Sequence, residues 1–131
     1  MNLLLDTHAL LWWKEGARKL GPRARRAIER DAATVRVSAA SAWEIAIKSR
    51  LGRLTLATPL HLWMPEGLER HGFLMLNVTV DHAVAVASLP DHHDDPFDRL
   101  LIAQARHEGL TILTSDAAFD DYGVPVLDAR T

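Results

Sequence analysis

The stretch His92–Ala105 reads HHDDPFDRLLIAQA and passes from an acidic loop into a helix. From Phe97 onward, apolar residues recur every four positions, which places them on one face of a helix. Pro96 suits the first turn, because its missing N–H group would have no partner inside the helix, and Gly109 is expected to end the helix. Asp98 lies in the same turn, where the positive end of the helix dipole stabilises a carboxylate. The stretch therefore predicts an acid at the start of a helix with an apolar face.

Strands and helices alternate along the chain, which is the order that a parallel sheet requires. Apolar runs bounded by turn residues predict the strands, at residues 3–5, 34–38, 73–78, 110–114 and 124–127. The last strand contains Pro125 and should therefore lie at an edge of the sheet. Helical patterns between the runs would cover both faces, and we expect Asp81 to cap the helix that follows the third strand. With 131 residues, we expect one α/β domain over residues 1–131.

Four acidic residues lie where this fold would bring them to one edge of the sheet. Two come just after predicted strands and two lie near the starts of predicted helices; they are Asp6, Asp116, Glu44 and Asp98. In open α/β sheets, ligands bind beyond the carboxyl ends of the strands. Magnesium prefers oxygen ligands, so several carboxylates make a suitable cage. Such an ion polarises a phosphoryl oxygen and makes bound water a better nucleophile. Thr114 or Ser115 is placed to hold a water or an acid by a hydrogen bond.

Each acid also has an ordinary structural explanation when it is taken alone. Asp6 fits the N-cap of the helix that follows it. Ser41 fits an N-cap with Glu44 three residues on, which is the spacing of a capping box, and Glu44 can also pair with Lys48. A carboxylate on a largely apolar helix is nevertheless costly unless it is paired or bound to a cation. The set of four therefore indicates a metal site more strongly than any one member does.

The composition excludes several classes of protein and site. The chain has no cysteine, which excludes disulfides, thiolate zinc sites and cysteine nucleophiles and is consistent with a reducing cytoplasm. Apolar residues make up 48% of the chain, so we do not expect disorder. The apolar N-terminal run contains Asp6 and His8 and has no basic leader, so we expect neither a signal peptide nor a membrane span. We interpret His8 as a structural residue.

Charge is distributed unevenly along the chain. Residues 1–53 contain 11 Lys or Arg and 5 Asp or Glu, whereas residues 54–131 contain 4 and 12. A basic half that faces an acidic half would hold a polyanion on one side and a metal ion on the other, and solvated surface charge is the alternative. Segment 14–30 is the most basic part. Four of its arginines are candidates for contact with phosphate oxygens of such a polyanion: Arg23, Arg25, Arg26 and Arg30.

Four blocks of the sequence resemble the acidic motifs of PIN domains, and more narrowly those of the VapC-type toxins of bacterial toxin–antitoxin pairs. The blocks are LLLDTHALLW at 3–12, SAWEI at 41–45, DPFDRLLIA at 95–103 and TSD at 114–116. The resemblance covers essentially the whole chain, and the sequence does not depart from the motifs at the acids. It implies a PIN-like αβα sandwich with a central, mostly parallel sheet.

The resemblance also implies an activity and partners. It implies a magnesium- or manganese-dependent endoribonuclease in which Asp6, Glu44, Asp98 and Asp116 are the metal ligands and catalytic residues. It further implies a cytoplasmic toxin that hydrolyses RNA, forms a homodimer and is inhibited by a small antitoxin protein. A housekeeping PIN-type nuclease is one alternative. A non-catalytic binding module that retains the fold is another, and four intact acids speak against it.

Two other families with an acid after the first strand fit the sequence less well. Phosphatases of the haloacid dehalogenase type have a second aspartate two residues after the first, and His8 stands at that position here. A receiver domain requires paired acids after the first strand and a lysine after a late strand, and neither is present. We therefore prefer the metal-dependent nuclease.

Overall fold

A computed structural model describes residues 1–131 and has one five-stranded sheet in which every strand pair is parallel. The strands are β1 (Asn2–Leu5), β2 (Thr34–Ser38), β3 (Leu74–Leu76), β4 (Thr111–Thr114) and β5 (Val126–Asp128). Their order across the sheet is β3-β2-β1-β4-β5. The predicted parallel sheet is confirmed, and β5 lies at an edge as Pro125 indicates.

Six α-helices connect and cover these strands. They are α1 (Thr7–Glu15), α2 (Pro22–Arg26), α3 (Ala39–Arg50), α4 (Glu66–Arg70), α5 (Val80–Ala85) and α6 (Pro96–Glu108). Helix α2 continues directly into a π-helical turn at Ala27–Asp31. Between α3 and α4 the chain is irregular apart from one 3₁₀ turn, Leu60–Leu62. None of the helices is long and apolar enough to cross a membrane.

The central strand β1 shows why the fold has three layers. Its side chains alternate between the two faces of the sheet. Leu3 and Leu5 belong to a core cluster with α1 and α2, whereas Leu4 belongs to a second cluster with α6. All three leucines are completely buried. The predicted αβα sandwich is therefore confirmed.

Helix α6 begins and ends where its sequence predicts. Pro96 occupies the first turn, and the side chain of Asp95 caps the helix by accepting a hydrogen bond from the backbone N–H of Asp98 at 3.0 Å. Gly109 ends the helix in the left-handed conformation at φ 68°, which a residue without a β-carbon adopts at little cost. These two ends place Asp98 at the carboxyl edge of the sheet.

Two predicted helix caps are wrong. Ser38, rather than Ser41, caps α3, because its hydroxyl accepts the backbone N–H of Ala40 at 3.0 Å. Thr79, rather than Asp81, caps α5. In both cases two residues that can cap lie within three positions of each other, and the earlier one caps the helix. Consequently Ser41 lies inside the first turn of α3, and the capping-box explanation of Glu44 does not apply.

Candidate metal centre

Asp6 follows the last residue of β1 and is 3% exposed. One carboxylate oxygen accepts the backbone N–H of Ala9 at 2.8 Å and so caps α1. The other oxygen accepts the hydroxyl of Thr114, at the end of the neighbouring strand β4, at 2.5 Å. The prediction that Thr114 or Ser115 holds an acid is therefore confirmed for Thr114. Asp6 is fixed in orientation by groups from two elements.

Glu44 lies on α3 and is 2% exposed. Its carboxylate accepts the hydroxyl of Thr7 at 2.6 Å and pairs with Lys48 one helical turn later. The predicted pairing with Lys48 is present, and it raises the pKa of the lysine because the carboxylate stabilises its charged form. The hydroxyl of Ser41 lies 3.0 Å from that of Thr7. The first turn of α1 therefore braces Glu44 against the carboxyl edge.

Asp98 and Asp116 are brought together by a histidine. Nε2 of His93 lies 3.0 Å from Oδ2 of Asp98 and 2.9 Å from Oδ2 of Asp116. Nδ1 of His93 accepts the backbone N–H of Asp95 at 3.1 Å, so the neutral ring carries its proton on Nε2. The imidazole therefore donates that proton to the two carboxylates. It is held by the backbone in the orientation that this contact requires.

Thr114 also connects two of the acids. Its hydroxyl donates to Asp6 and accepts the backbone N–H of Asp116 at 3.0 Å. Asp116 caps the 3₁₀ turn Ala117–Tyr122 through its other oxygen, which accepts the N–H of Ala118 at 2.9 Å. One threonine at the end of β4 thus fixes the relative positions of Asp6 and the loop that carries Asp116.

The electrostatics show that the acids lie close enough to affect one another. Burial, together with the negative charges of Asp95, Asp6 and Glu44, raises the pKa of Asp98 to about 7, although His93 acts to lower it. Burial also raises the pKa of Asp6, against the hydrogen bonds from Thr114 and Ala9. Both shifts mean that the folded chain disfavours the full negative charge at this edge. The structure thus brings all four predicted acids into one electrostatic neighbourhood.

The predicted acids do not all occupy equivalent positions. Ligand atoms of His93, Asp98 and Asp116 lie within 4.8 Å of one another, whereas Asp6 and Glu44 lie outside that group and are held by hydroxyls. Asp116 is exposed, Asp98 is partly buried, and Asp6 and Glu44 are buried. Asp6 and Glu44 therefore form the buried part of the site, and Asp116 lies at its solvent-exposed edge.

Comparisons with known proteins agree with this arrangement. Residues 3–125 match the model of the PIN domain. The chain belongs to the PIN domain family. It is 33% identical over 116 residues to Ribonuclease VapC22 of Mycobacterium tuberculosis, and the match covers 88% of this chain and 87% of that protein. The predicted family is therefore confirmed.

Solved structures share the fold of this PIN domain. A DNA-bound VapBC of Salmonella typhimurium matches with a TM-score of 0.72 at 17% identity, over 98% of each chain. VapBC2 of Rickettsia felis, bound to a DNA fragment from its promoter, matches with a TM-score of 0.69 at 12% identity, also over 98% of each chain. At such identities the likeness establishes the fold alone.

The residues of this PIN domain that fit a divalent cation are its carboxylates. An ionised carboxylate offers about four lone-pair positions, so acids that already accept one or two hydrogen bonds retain acceptor capacity. The raised pKa values of Asp6 and Asp98 show negative charge that a cation would stabilise. Oxygen donors of this kind suit magnesium and manganese. His93 does not belong to the ligand set, because Nε2 carries a proton in the tautomer that Asp95 selects.

His93 and Thr7 are parts of the site that were not predicted from the sequence. His93 precedes the N-cap of α6 by two residues, and a histidine within an acidic loop beside a candidate acid is a signal that could have identified it. Thr7 follows Asp6 directly, but its partner Glu44 lies 37 residues away in sequence. No local pattern indicates a contact at that separation.

A second cluster of possible metal ligands lies at the other end of α6. It contains His82, His107 and Glu108. Nδ1 of His82 accepts the backbone N–H of Thr79, so Nε2 carries the proton of the neutral ring and faces Glu108 at 3.5 Å. His82 completes the capping box of α5. This cluster is explained by helix capping.

Proposed function

We propose that this protein is an endoribonuclease that hydrolyses RNA phosphodiester bonds with the help of magnesium or manganese, and that it is the toxin of a toxin–antitoxin pair. The observation that carries the proposal is the set of four acids at the carboxyl edge, where burial and the neighbouring negative charges raise the pKa of Asp98 to about 7. The 33% identity to Ribonuclease VapC22 supports the same chemistry. Asp6, Glu44, Asp98 and Asp116 are the proposed ligands and catalytic residues.

The side chains of this chain have separate tasks in the proposed reaction. When bound, a divalent cation supplies polarisation of a phosphoryl oxygen and a lower pKa of water. Thr114 and Thr7 hold Asp6 and Glu44 in fixed orientations through their hydroxyls. His93 keeps the carboxylates of Asp98 and Asp116 next to each other. Such preorganisation lowers the cost of assembling the charged site before RNA binds.

The proposal is tested by cleavage of end-labelled cellular RNA with magnesium, with manganese and with excess chelator. We expect cleavage only with a divalent ion, and we expect Asp116→Asn to abolish it because asparagine keeps the shape and loses the charge. Asp120→Asn is the matched control, since Asp120 is an exposed acid on the same loop with no hydrogen-bond partner. Full cleavage in chelator, or equal loss in both variants, would contradict the proposal.

The proposed antitoxin has a surface to which it can bind. A groove of about 990 Å³ lies between α3 and segment 54–65. More than half of its lining is apolar, including Ala42, Ala46, Leu54, Leu56, Leu60, Met64 and Met75. The structural relatives are toxin–antitoxin complexes, among them one from Klebsiella pneumoniae with a TM-score of 0.66. We assign an apolar segment of the antitoxin to this groove.

The proposed homodimer is supported by a different surface. Strand β3 is an edge strand of the sheet, so one side of it has no neighbouring strand. Exposed apolar side chains lie on β3, on the loop that follows it and on α5: Leu74 (46% exposed), Val78 (38%), Val80 (78%) and Val84 (67%). A second copy of the chain would cover both features, because an edge strand and an exposed apolar patch are typical of association surfaces.

The remaining proposals concern the domain organisation of the protein and its location in the cell. We propose that residues 1–131 form one domain, because the core clusters on both faces share the central strand β1. We also propose that the protein acts in the cytoplasm, where its RNA substrate is found. A housekeeping PIN nuclease is distinguished from a toxin by the growth of cells that express it without a partner. Unchanged growth with intact cleavage in vitro would favour the housekeeping role.

A further inference from the structure

Three exposed arginines line a depression on the surface between α1 and α2. The depression has a volume of about 640 Å³, and its three exposed cations are Arg18, Arg26 and Arg30. None of the three forms an ion pair or a hydrogen bond within the chain. Arg25 and Glu29, which also line it, pair with each other at 3.9 Å. The depression therefore carries a net charge of +3 that no side chain of this protein neutralises.

The fold holds these cations in fixed relative positions. Arg18 lies on the loop after α1, whereas Arg26 and Arg30 lie one helical turn apart on α2 and its π-helical extension. The guanidinium of Arg25 donates to the carbonyl of Ala17 at 3.2 Å and so ties the loop to the helix. Gly21 closes the loop against the C-terminal backbone, where a β-carbon would lie 2.2 Å from a backbone atom of Thr131. The loop after α1 is therefore held by Arg25 on one side and packs against the C-terminal backbone on the other.

The depression is separate from the acids. Asp6 precedes the first residue of α1, and Gly16, which lines the depression, follows the last. The nine residues of α1 span about 14 Å at 1.5 Å per residue. That length corresponds to about four steps of a nucleic-acid strand at 3.4 Å per step. A ligand that reaches both places must therefore extend several nucleotides beyond the cleavage point.

The chemistry of the lining favours phosphate over a protein ligand. A guanidinium binds the oxygens of a phosphate in a planar, two-pronged manner. Leu20 is the one large apolar residue of the lining, so the depression offers neither an aromatic ring nor an apolar pocket for the side chain of a peptide. Tight protein interfaces usually depend on buried apolar or aromatic anchors. The depression is thus suited to a nucleic-acid backbone, without selection of sequence.

We propose that Arg18, Arg26 and Arg30 form an auxiliary binding site for the phosphodiester backbone of RNA, about one helix length from the site of hydrolysis. This inference rests on the proposed function, and it specifies the length of RNA that the enzyme binds. The enzyme holds RNA chains that extend about four or more nucleotides beyond the cut, and it loses this contact with shorter oligonucleotides. Arg25 positions the loop and does not take part in binding.

The test is the salt dependence of binding to a labelled 20-nucleotide single-stranded RNA, with Asp98→Asn in every protein to prevent cleavage. The variant R26Q/R30Q removes two phosphate contacts. We expect the slope of log affinity against log salt to fall by roughly 1.4, since each contact with single-stranded RNA contributes about 0.7. The control R50Q/R106Q removes two arginines that are exposed elsewhere, and its slope should stay within about 0.3 of the parent.

Cleavage supplies the second measurement. With Asp98 intact, R26Q/R30Q should raise KM for the 20-nucleotide RNA about tenfold at 0.15 M salt and leave kcat unchanged, because only uniform binding is lost. A tetranucleotide should be cut equally by parent and variant. An equal change of slope in the control, no change in R26Q/R30Q, or an equal loss with the tetranucleotide would overturn the inference. If the parent binds RNA with the expected slope but never cuts it, the auxiliary site stands and the proposed nuclease fails.

Discussion

Asp98→Asn should stabilise the metal-free protein at neutral pH while it removes the proposed activity. The pKa of Asp98 is about 7 in the folded state and near 3.8 in the unfolded chain. Between these values the folded chain binds more protons than the unfolded chain, so the free energy of unfolding decreases as the pH rises. Above pH 7 the penalty is complete. Below about pH 4 the carboxyl is protonated in both states and contributes nothing.

The size of the effect follows from the shift. A difference of about 3 units at 1.36 kcal/mol per unit gives an upper value of about 4 kcal/mol. The side chain of Asp98 is 20% exposed and solvent screens part of this penalty, so we expect about 2 to 4 kcal/mol. Asparagine keeps the backbone N–H that Asp95 caps and can still accept the proton of His93. The substitution therefore removes charge and little else.

The assay measures the unfolding of parent and variant by urea between pH 4 and pH 8, in the presence of chelator. Circular dichroism monitors the unfolding. The two stabilities should agree near pH 4 and diverge up to pH 7, with the variant more stable. Asp94→Asn, which removes an exposed acid of the same loop, should follow the parent. Addition of manganese should stabilise the parent more than Asp98→Asn, because the ion binds the folded, ionised site. A variant that is less stable than the parent at pH 8 in chelator would refute the reasoning.

Three further predictions use single substitutions. Thr114→Val should lower cleavage at least tenfold and cost about 1 to 3 kcal/mol of stability, because Asp6 loses a buried hydrogen bond; activity and unfolding measurements check both. His93→Gln should weaken manganese binding, measured by calorimetry, about tenfold while the melting temperature changes little, since an outer group that orients the carboxylates is lost. Val84→Lys should convert the proposed dimer to a monomer in light scattering, whereas Leu51→Lys, at an exposed position outside that surface, should leave it unchanged.

The parts of the fold that the sequence predicts are those with a local cause. The apolar run of β1 and the proline and glycine at the ends of α6 each act within a few residues, and the structure has them where they are expected. The acids after strands could be placed at one edge because parallel strands all end at the same edge. The edge position of β5 agrees with the expectation from Pro125, which directly precedes the strand.

The parts that the sequence does not predict depend on contacts between distant residues. Thr114 and Asp6 are 108 residues apart, and Thr7 and Glu44 are 37 apart. The hydrogen bond by which Arg25 ties the loop after α1 to α2 also joins two separate elements. The choice of Ser38 as the cap of α3 depends on where β2 ends, which a pattern of two nearby serines does not specify. Each of these is a consequence of packing.

The capping explanation of the acids can now be weighed against the site explanation. Asp95 already caps α6 and Ser38 already caps α3, so neither helix requires Asp98 or Glu44 at its start. Asp98 moreover costs stability when it is ionised, whereas a capping acid contributes stability. Proteins are stable by only about 5 to 15 kcal/mol, so a penalty of about 2 to 4 kcal/mol is a large share. Asp6 and Asp116 do cap, but the hydroxyl of Thr114 joins them in one network. An arrangement that holds four acids in position and disfavours the negative charge of Asp6 and Asp98 is the one that a cation-binding site requires.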